Sequence, residues 1–303
     1  MIQYFFLLLL LAFPCALYGQ QNQDLNWSKP QKRLLQIKEI DSIASLCSDT
    51  TYKDYLQGRK INKNDPAKAV LSVLDNQVYH ILKKLSKPLS NKEEVVLWQI
   101  FNMGYIVQTN RGNIGIDIHC RDAKRFAKYI DALLITHSHF DHYRGDLNEE
   151  MKRLQKPVIS NWVESGYKTD TVQAYSIGNF KITTHLGDHF FWKKESSNDM
   201  MMFEIETCGV KIVHTGDNSS TAKLARYKNV DAFILHHDII KSLPEAVSIV
   251  QPKLTVLSHI MELGHPRTKN GYRWTYAHAL EKSMLIPDAN KAILFWGESI
   301  LLK

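Results

Sequence analysis

Apolar residues recur along this chain with two different periods, and the change falls near residue 90. Before it the spacing is helical. Leu34, Ile37, Ile40, Ile43 and Leu46 recur every three residues or so. A stronger helix follows, with Asp65 as N-cap, Pro66 in the first turn, and Val70, Leu71, Leu74, Val78, Ile81, Leu82 and Leu85 on one face until Pro88 stops it. These patterns predict a helical extension over about 33–90, preceded by a polar, flexible stretch at 20–32. Its apolar stripe requires a partner surface, on the main domain or on another subunit. After about Val95 short apolar runs take over. The run 95–107 is β-rich, Asn110-Arg111-Gly112-Asn113 supplies a turn, and Ile114–Ile118 returns as a strand. Helices at 121–130, 146–155, 243–249 and 274–284 then alternate with strands at 132–136, 158–160, 180–185, 231–236, 253–258 and 291–295. Residues 200–205 and 210–214 read as a hairpin around Cys208-Gly209. Apolar strands that end in polar loops predict an α/β fold, with sheets buried between helices and chemistry at the strand ends. Spacing alone also permits a doubly wound sheet.

The first nineteen residues stand outside both patterns. Phe5–Phe13 is an unbroken apolar run, Pro14 interrupts it, and Ala16-Leu17-Tyr18-Gly19 offers small residues for cleavage before Gln20. The run falls short of the roughly twenty apolar residues of a membrane span. It predicts a signal peptide over 1–19 and a secreted or periplasmic protein with no stable span once that segment is removed. Cys47, Cys120 and Cys208 then remain, an odd number without CxxC spacing, which argues against both a disulfide framework and a thiolate metal site. A chain of 303 residues with 44% hydrophobic content can bury a full core. The net charge of +7 gathers early, at positions such as Lys29, Lys32, Arg33, Arg59 and Lys60, and reads as a solvated basic face. No basic segment is interleaved with aromatics, so nucleic acid is not an expected partner.

The chemistry concentrates in Thr136-His137-Ser138-His139-Phe140-Asp141-His142, directly after the apolar run Ala132–Ile135. Four potential metal ligands fill six positions at the end of a strand. His137 and His139 alternate, so an extended backbone turns both rings to one side, and Asp141 and His142 then turn toward a second position. Folding alone gains nothing from such convergence, whereas divalent ions do. This His-x-His-x-Asp-His string resembles the signature of the metallo-β-lactamase-fold hydrolases, over about 95–303. The resemblance implies a four-layer αββα sandwich, with the N-terminal helical extension lying outside it.

The same resemblance implies ligands from later strand ends. His189, in Leu186-Gly187-Asp188-His189, matches the third-motif histidine, with His185 as competitor. Asp217, in Val213-His214-Thr215-Gly216-Asp217, matches the aspartate that bridges two ions; two carboxylate oxygens can reach one ion each. His259, after 254–258, matches the fifth motif, and His265 is the alternative if the register differs. The implied arrangement places His137, His139 and His189 on one metal and Asp141, His142 and His259 on the other, with Asp217 shared. Asp117 matches the first-motif aspartate, which accepts hydrogen bonds that fix the histidine loop without touching metal. His214 reads as packed rather than ligating. His236 and His237 end another strand and read as core or surface histidines, with a place in the pocket as the alternative. Zinc is the first expectation for two divalent ions in an imidazole-rich site, and manganese or iron also suits nitrogen and oxygen ligands.

Such a site implies a metal-dependent hydrolase in which a metal-bridging hydroxide attacks an ester, lactone, amide or phosphodiester of a small or lipid-like substrate. Asp141 and Asp217 serve the nucleophile, and His265, when not a ligand, protonates the leaving group or binds substrate. Asp217 points away from antibiotic hydrolysis, because true metallo-β-lactamases generally place Cys or Ser there. The spacing is most similar to the branch containing the ascorbate-phosphate lactonase and phospholipase-D-type enzymes. An iron-type oxidoreductase of the same fold and a non-catalytic metal-binding protein are the alternatives.

Overall fold

The computed structural model describes residues 30–191, 194–264, 274–287 and 290–303. The signal segment and His265 lie outside the described residues. Two compact units divide the chain, 1–37 and 38–303. Of the first, residues 30–37 are described and begin helix α1 (Pro30–Ala44). Among the described residues, no helix is long and apolar enough to cross a membrane.

The second unit is built on two sheets. One has the strand order β13-β1-β2-β3-β4-β5, with β1 Val95–Gln99, β2 Tyr105–Thr109, β3 Gly112–Ile116, β4 Ala132–Leu134, β5 Val158–Ile159 and β13 Ser299–Leu301. The other runs β12-β11-β10-β9-β8-β7-β6, with β6 Ala174–Ile177, β7 Phe180–Phe191, β8 Lys194–Thr207, β9 Val210–His214, β10 Ala232–His236, β11 Leu254–Ser258 and β12 Lys291–Ala292. In both sheets antiparallel hairpins give way to parallel strands: β3-β4-β5 in the first, β9-β10-β11-β12 in the second.

Period-2 alternation sorts each strand's residues between two layers. Val95, Leu97, Val107, Ile114, Ile116 and Leu134 of the first sheet share one core with Phe203, Ile205, Ile212, Ala232, Ile234 and Val256 of the second. The opposite parity of the second sheet, Val213, Phe233, Leu235 and Leu257, packs with Leu243, Ala246 and Val250 of helix α5 (Leu243–Val250). On the far side of the first sheet, Trp98 meets His80 of helix α3 (Ala67–Leu85). Helices therefore cover the outer faces of a two-sheet sandwich. This is the αββα arrangement, not the single doubly wound sheet that spacing also permitted.

Helix α3 forms as its stripe predicts, with Val70, Leu71, Leu74, Val78, Ile81, Leu82 and Leu85 buried and the Asp65 carboxylate accepting from the Ala67 N–H at 2.9 Å. Helix α2 (Asp49–Leu56) is an addition to the sequence reading, capped by the Ser48 hydroxyl accepting from Thr51 N. It buries Tyr52 and Tyr55, which share too short a helix for a periodic signal to emerge. The helix expected at 121–130 is a 3₁₀ segment, Ala123–Lys128. Helices α4 (Gly145–Arg153) and α6 (Tyr276–Ser283) fall where expected. Strand β7 does not stop at His185 but continues through a register shift between Gly187 and His189, so the expected bend is a β-bulge. Edge strand β6 escaped prediction because its alternation is between exposed and half-buried positions, which leaves no apolar run.

Candidate metal centre

The histidine loop leaves β4 under close control. Asp117, fully buried just past β3 and in the left-handed region at φ +44°, accepts from the Thr136 N–H at 2.8 Å and the Thr136 hydroxyl at 2.7 Å. Its Oδ2 lies 2.8 Å from His142 Nδ1. That contact places the proton on Nδ1 and turns the Nε2 lone pair inward. Asp117 thus touches backbone, hydroxyl and imidazole, which is the supporting place the resemblance implied. Gly216 gives the turn that follows β9. Its φ is +52°, and a Cβ there would lie 2.8 Å from Thr136 Cβ, so only glycine lets Asp217 turn in against the loop. His259 follows β11 at φ +63°, another strained backbone position at the site.

These elements bring all seven predicted residues together. Ligand-type atoms of His137, His139, His189 and Asp217 lie within 4.8 Å of one another, as do those of Asp141, His142 and His259. Asp217 reaches both groups: its Oδ2 is 3.8 Å from His137 Nε2 and 3.7 Å from His189 and His259 Nε2, and its Oδ1 is 3.5 Å from His142 Nε2. Asp141 Oδ2 stands 3.2 Å from both His142 and His259 Nε2. A charge-assisted N–H···O bond would close to about 2.7–2.9 Å. Two atoms bound at about 2.1 Å to one tetrahedral ion sit about 3.4 Å apart. The observed spacings fit atoms that share an ion better than atoms that bond to each other. Among the described residues, His137 Nε2, His142 Nε2, His189 Nε2, Asp141 Oδ1 and Asp217 Oδ1 are buried with no hydrogen-bond partner. Such orphaned atoms are costly unless something occupies the space between them. The donor set fits a dinuclear metal site.

Electrostatics agree. Burial pushes Asp141 and Asp217 upward, but His142 foremost outweighs it and holds both well below the ordinary carboxylate range. Burial would likewise lower His142, yet Asp141, Asp217 and Asp117 overcome it and raise its pKa well above the usual value. His137 and His139 are lowered, by burial first. Buried negative charge thus calls for a cation, and without one a proton on His142 answers that demand.

The competitors fall elsewhere. His185 Nδ1 lies 3.3 Å from the Arg226 guanidinium and its ring packs edge-on against Tyr227, so it joins neither group. His214 is packed, with Nε2 2.9 Å from the Met103 carbonyl and Nδ1 accepting from Gly216 N. Two further residues contribute, and the first of them escaped the sequence reading. Asn102 donates to Asp141 Oδ2 at 2.6 Å, while its own carbonyl accepts from Gln99 Nε2, Ser258 Oγ and the His259 N–H. His236, expected in the core or at the surface with the pocket as the alternative, stacks on His259 at 4.1 Å and brings a ring nitrogen within 4.8 Å of Asp217 and His259 ligand-type atoms. A signal was present: Ala232 and Ile234 face the shared core, so period 2 puts His236 on that same face at the strand's end.

Solved structures resemble this architecture. YhfI from Bacillus subtilis, a metallo-beta-lactamase fold protein, is similar with a TM-score of 0.50 and 15% identity, over 71% of this chain and 93% of that one. Igni18, a metallo hydrolase from the archaeon Ignicoccus hospitalis, gives 0.49 and 17%, over 69% and 98%. CmlA, a diiron beta-hydroxylase from Streptomyces venezuelae, gives 0.49 and 11%, over 83% and 59%. No curated protein matches the chain. Its sequence does match the profile of the beta-lactamase superfamily domain over residues 97–252. That span takes in most of both sheets and the histidine loop, and the chain belongs to the beta-lactamase superfamily, with the metallo-beta-lactamase fold.

Proposed function

We propose that this protein is an exported hydrolase that holds two divalent ions, zinc by preference, and cleaves an ester, lactone or phosphodiester bond in a small or lipid-like substrate. The observation that carries this reading is the 3.2–3.8 Å spacing between inward-facing imidazole nitrogens and the carboxylates of Asp141 and Asp217. When bound, two such ions would bring a water's pKa near neutrality and polarise the electrophile. The chain's own residues do the rest. His137, His139 and His189 would hold one ion, Asp141, His142 and His259 the other, and Asp217 both. Asn102 fixes the Asp141 carboxylate, and Asp117 fixes the His142 ring. Trp274 meets the rings of His236 and His259 edge-on at 4.7 and 4.5 Å and holds them in place.

Charge supports hydrolysis. Asp117, Asp141 and Asp217 carry one negative charge less than two dications require, which favours an anionic nucleophile or an anionic substrate group in the centre. An imidazole-rich donor set supports zinc. The aspartate at position 217 supports esters and phosphodiesters over antibiotics, and the apolar run Phe5–Phe13 supports export. The test is turnover by zinc-reconstituted protein of bis(4-nitrophenyl) phosphate, simple lactones and 4-nitrophenyl esters. Saturable hydrolysis of at least one, abolished by chelation and restored by metal, is expected. Full metal occupancy without hydrolysis of any would overturn the reading in favour of a binding protein.

A further inference from the structure

His236 is almost wholly buried, at 1% exposure, and its two ring nitrogens have opposite surroundings. Nδ1 accepts from two successive backbone amides, Asp238 N at 3.1 Å and Ile239 N at 3.2 Å. An imidazole nitrogen that accepts N–H bonds carries a lone pair, so in the neutral ring the proton must sit on Nε2. That Nε2 is buried without a hydrogen-bond partner among the described residues. The ring is clamped between His259, stacked at 4.1 Å and 26°, and Trp274, edge-on at 4.7 Å. The backbone therefore selects the tautomer, and the aromatic clamp fixes the ring's direction.

Proximity alone would make His236 a metal ligand with Asp217 and His259. The tautomer argues otherwise, because an N–H offers no lone pair to an ion. A buried N–H without an acceptor is costly, and it persists where an acceptor arrives with the ligand. Resting on the hydrolytic reading above, we infer that His236 is a substrate-binding donor: its Nε2–H hydrogen-bonds an oxygen of the substrate seated beside Asp141, His142 and His259, and binds no metal. The acceptor has the chemistry of a phosphoryl or carboxyl-derived oxygen, which gains negative charge during attack. His237, next along the chain, has the reverse tautomer, with its Nδ1 2.9 Å from the Ser258 carbonyl and therefore protonated. Neighbouring histidines have thus been given different roles by different backbone groups.

Two variants and one spectrum test this. His236→Phe keeps a ring to stack on His259 but removes the donor, and His236→Gln offers an amide N–H in its place. In zinc-reconstituted protein, both variants should retain the wild-type metal content. Inorganic phosphate should bind about tenfold more weakly to the Phe variant, with turnover reduced at least tenfold, and the Gln variant should recover most of the phosphate affinity. Loss of one metal equivalent from the Phe variant would overturn the inference, as would unchanged phosphate affinity. The tautomer is read independently on the wild-type protein. Long-range ¹H–¹⁵N correlation should show an unprotonated Nδ1 and a protonated Nε2 for His236, and the reverse would overturn it even if neither variant folds. Absent metal in the wild-type protein would instead count against the hydrolytic reading, leaving the tautomer measurable.

Discussion

Asp117 shows how much of the centre depends on a residue outside both groups of candidate ligands. Its two oxygens receive the Thr136 N–H, the Thr136 hydroxyl and the His142 ring, so one carboxylate sets both the loop's departure from β4 and an imidazole's tautomer. Asp117→Asn keeps the size but faces Thr136 and His142 with an amide N–H. Zinc affinity should fall about 10- to 100-fold with the fold intact, measured by competition with a chromogenic chelator. The choice between two histidines belongs to the same scale. His189→Ala should lose one of two bound metals and His185→Ala neither, read by elemental analysis of reconstituted protein; equal retention in both would count against His189. The string from His137 to His142 was legible because its candidate ligands are neighbours in sequence. Asn102 was not, because its role comes from a left-handed turn at φ +55° and from partners 39 and 157 residues away.

Elements act by carrying these residues to one place. Strands β4, β9, β10 and β11 all end at the centre, and the turns beyond them demand specific backbones. Gly216→Ala would put a methyl group against Thr136 at φ +52°, with a strain of about 1–2 kcal/mol before any clash is relieved. A lower melting temperature and weaker zinc binding should appear together in that variant. Helix α2 contributes from the N-terminal side. Tyr52 packs 5.8 Å from the Phe101 ring and 5.9 Å from that of His119, and it abuts Gly264, in the segment that follows His259. Tyr52→Ala should cost roughly 3–5 kcal/mol by leaving a cavity, read as a lower urea midpoint with an unchanged slope. Strand and helix order was readable from apolar period, as α3 and β10 illustrate. The β7 bulge and helix α2 were not, since each depends on contacts made only after the chain has closed on itself.

For the molecule as a whole, buried neutral histidines set the response to acid. Burial foremost pushes His119 and His237 down to about 4, below the 6.5 of an exposed imidazole. The unfolded chain therefore takes up these protons first. The stability they contribute is fully present above pH 6.5 and is lost as pH falls toward 4, by roughly 3 kcal/mol apiece at most. Urea midpoints should drop across that window, and His237→Gln should flatten the drop by a measurable share; a flat wild-type profile would contradict the assignment. The same residues that make the interior acid-sensitive surround a centre whose carboxylates call for cations, so metal content is where fold and chemistry meet. Elemental analysis of protein purified without chelators reads it directly. Two transition-metal equivalents per chain are expected, before or after reconstitution, and a chain that holds none under either condition would contradict the account.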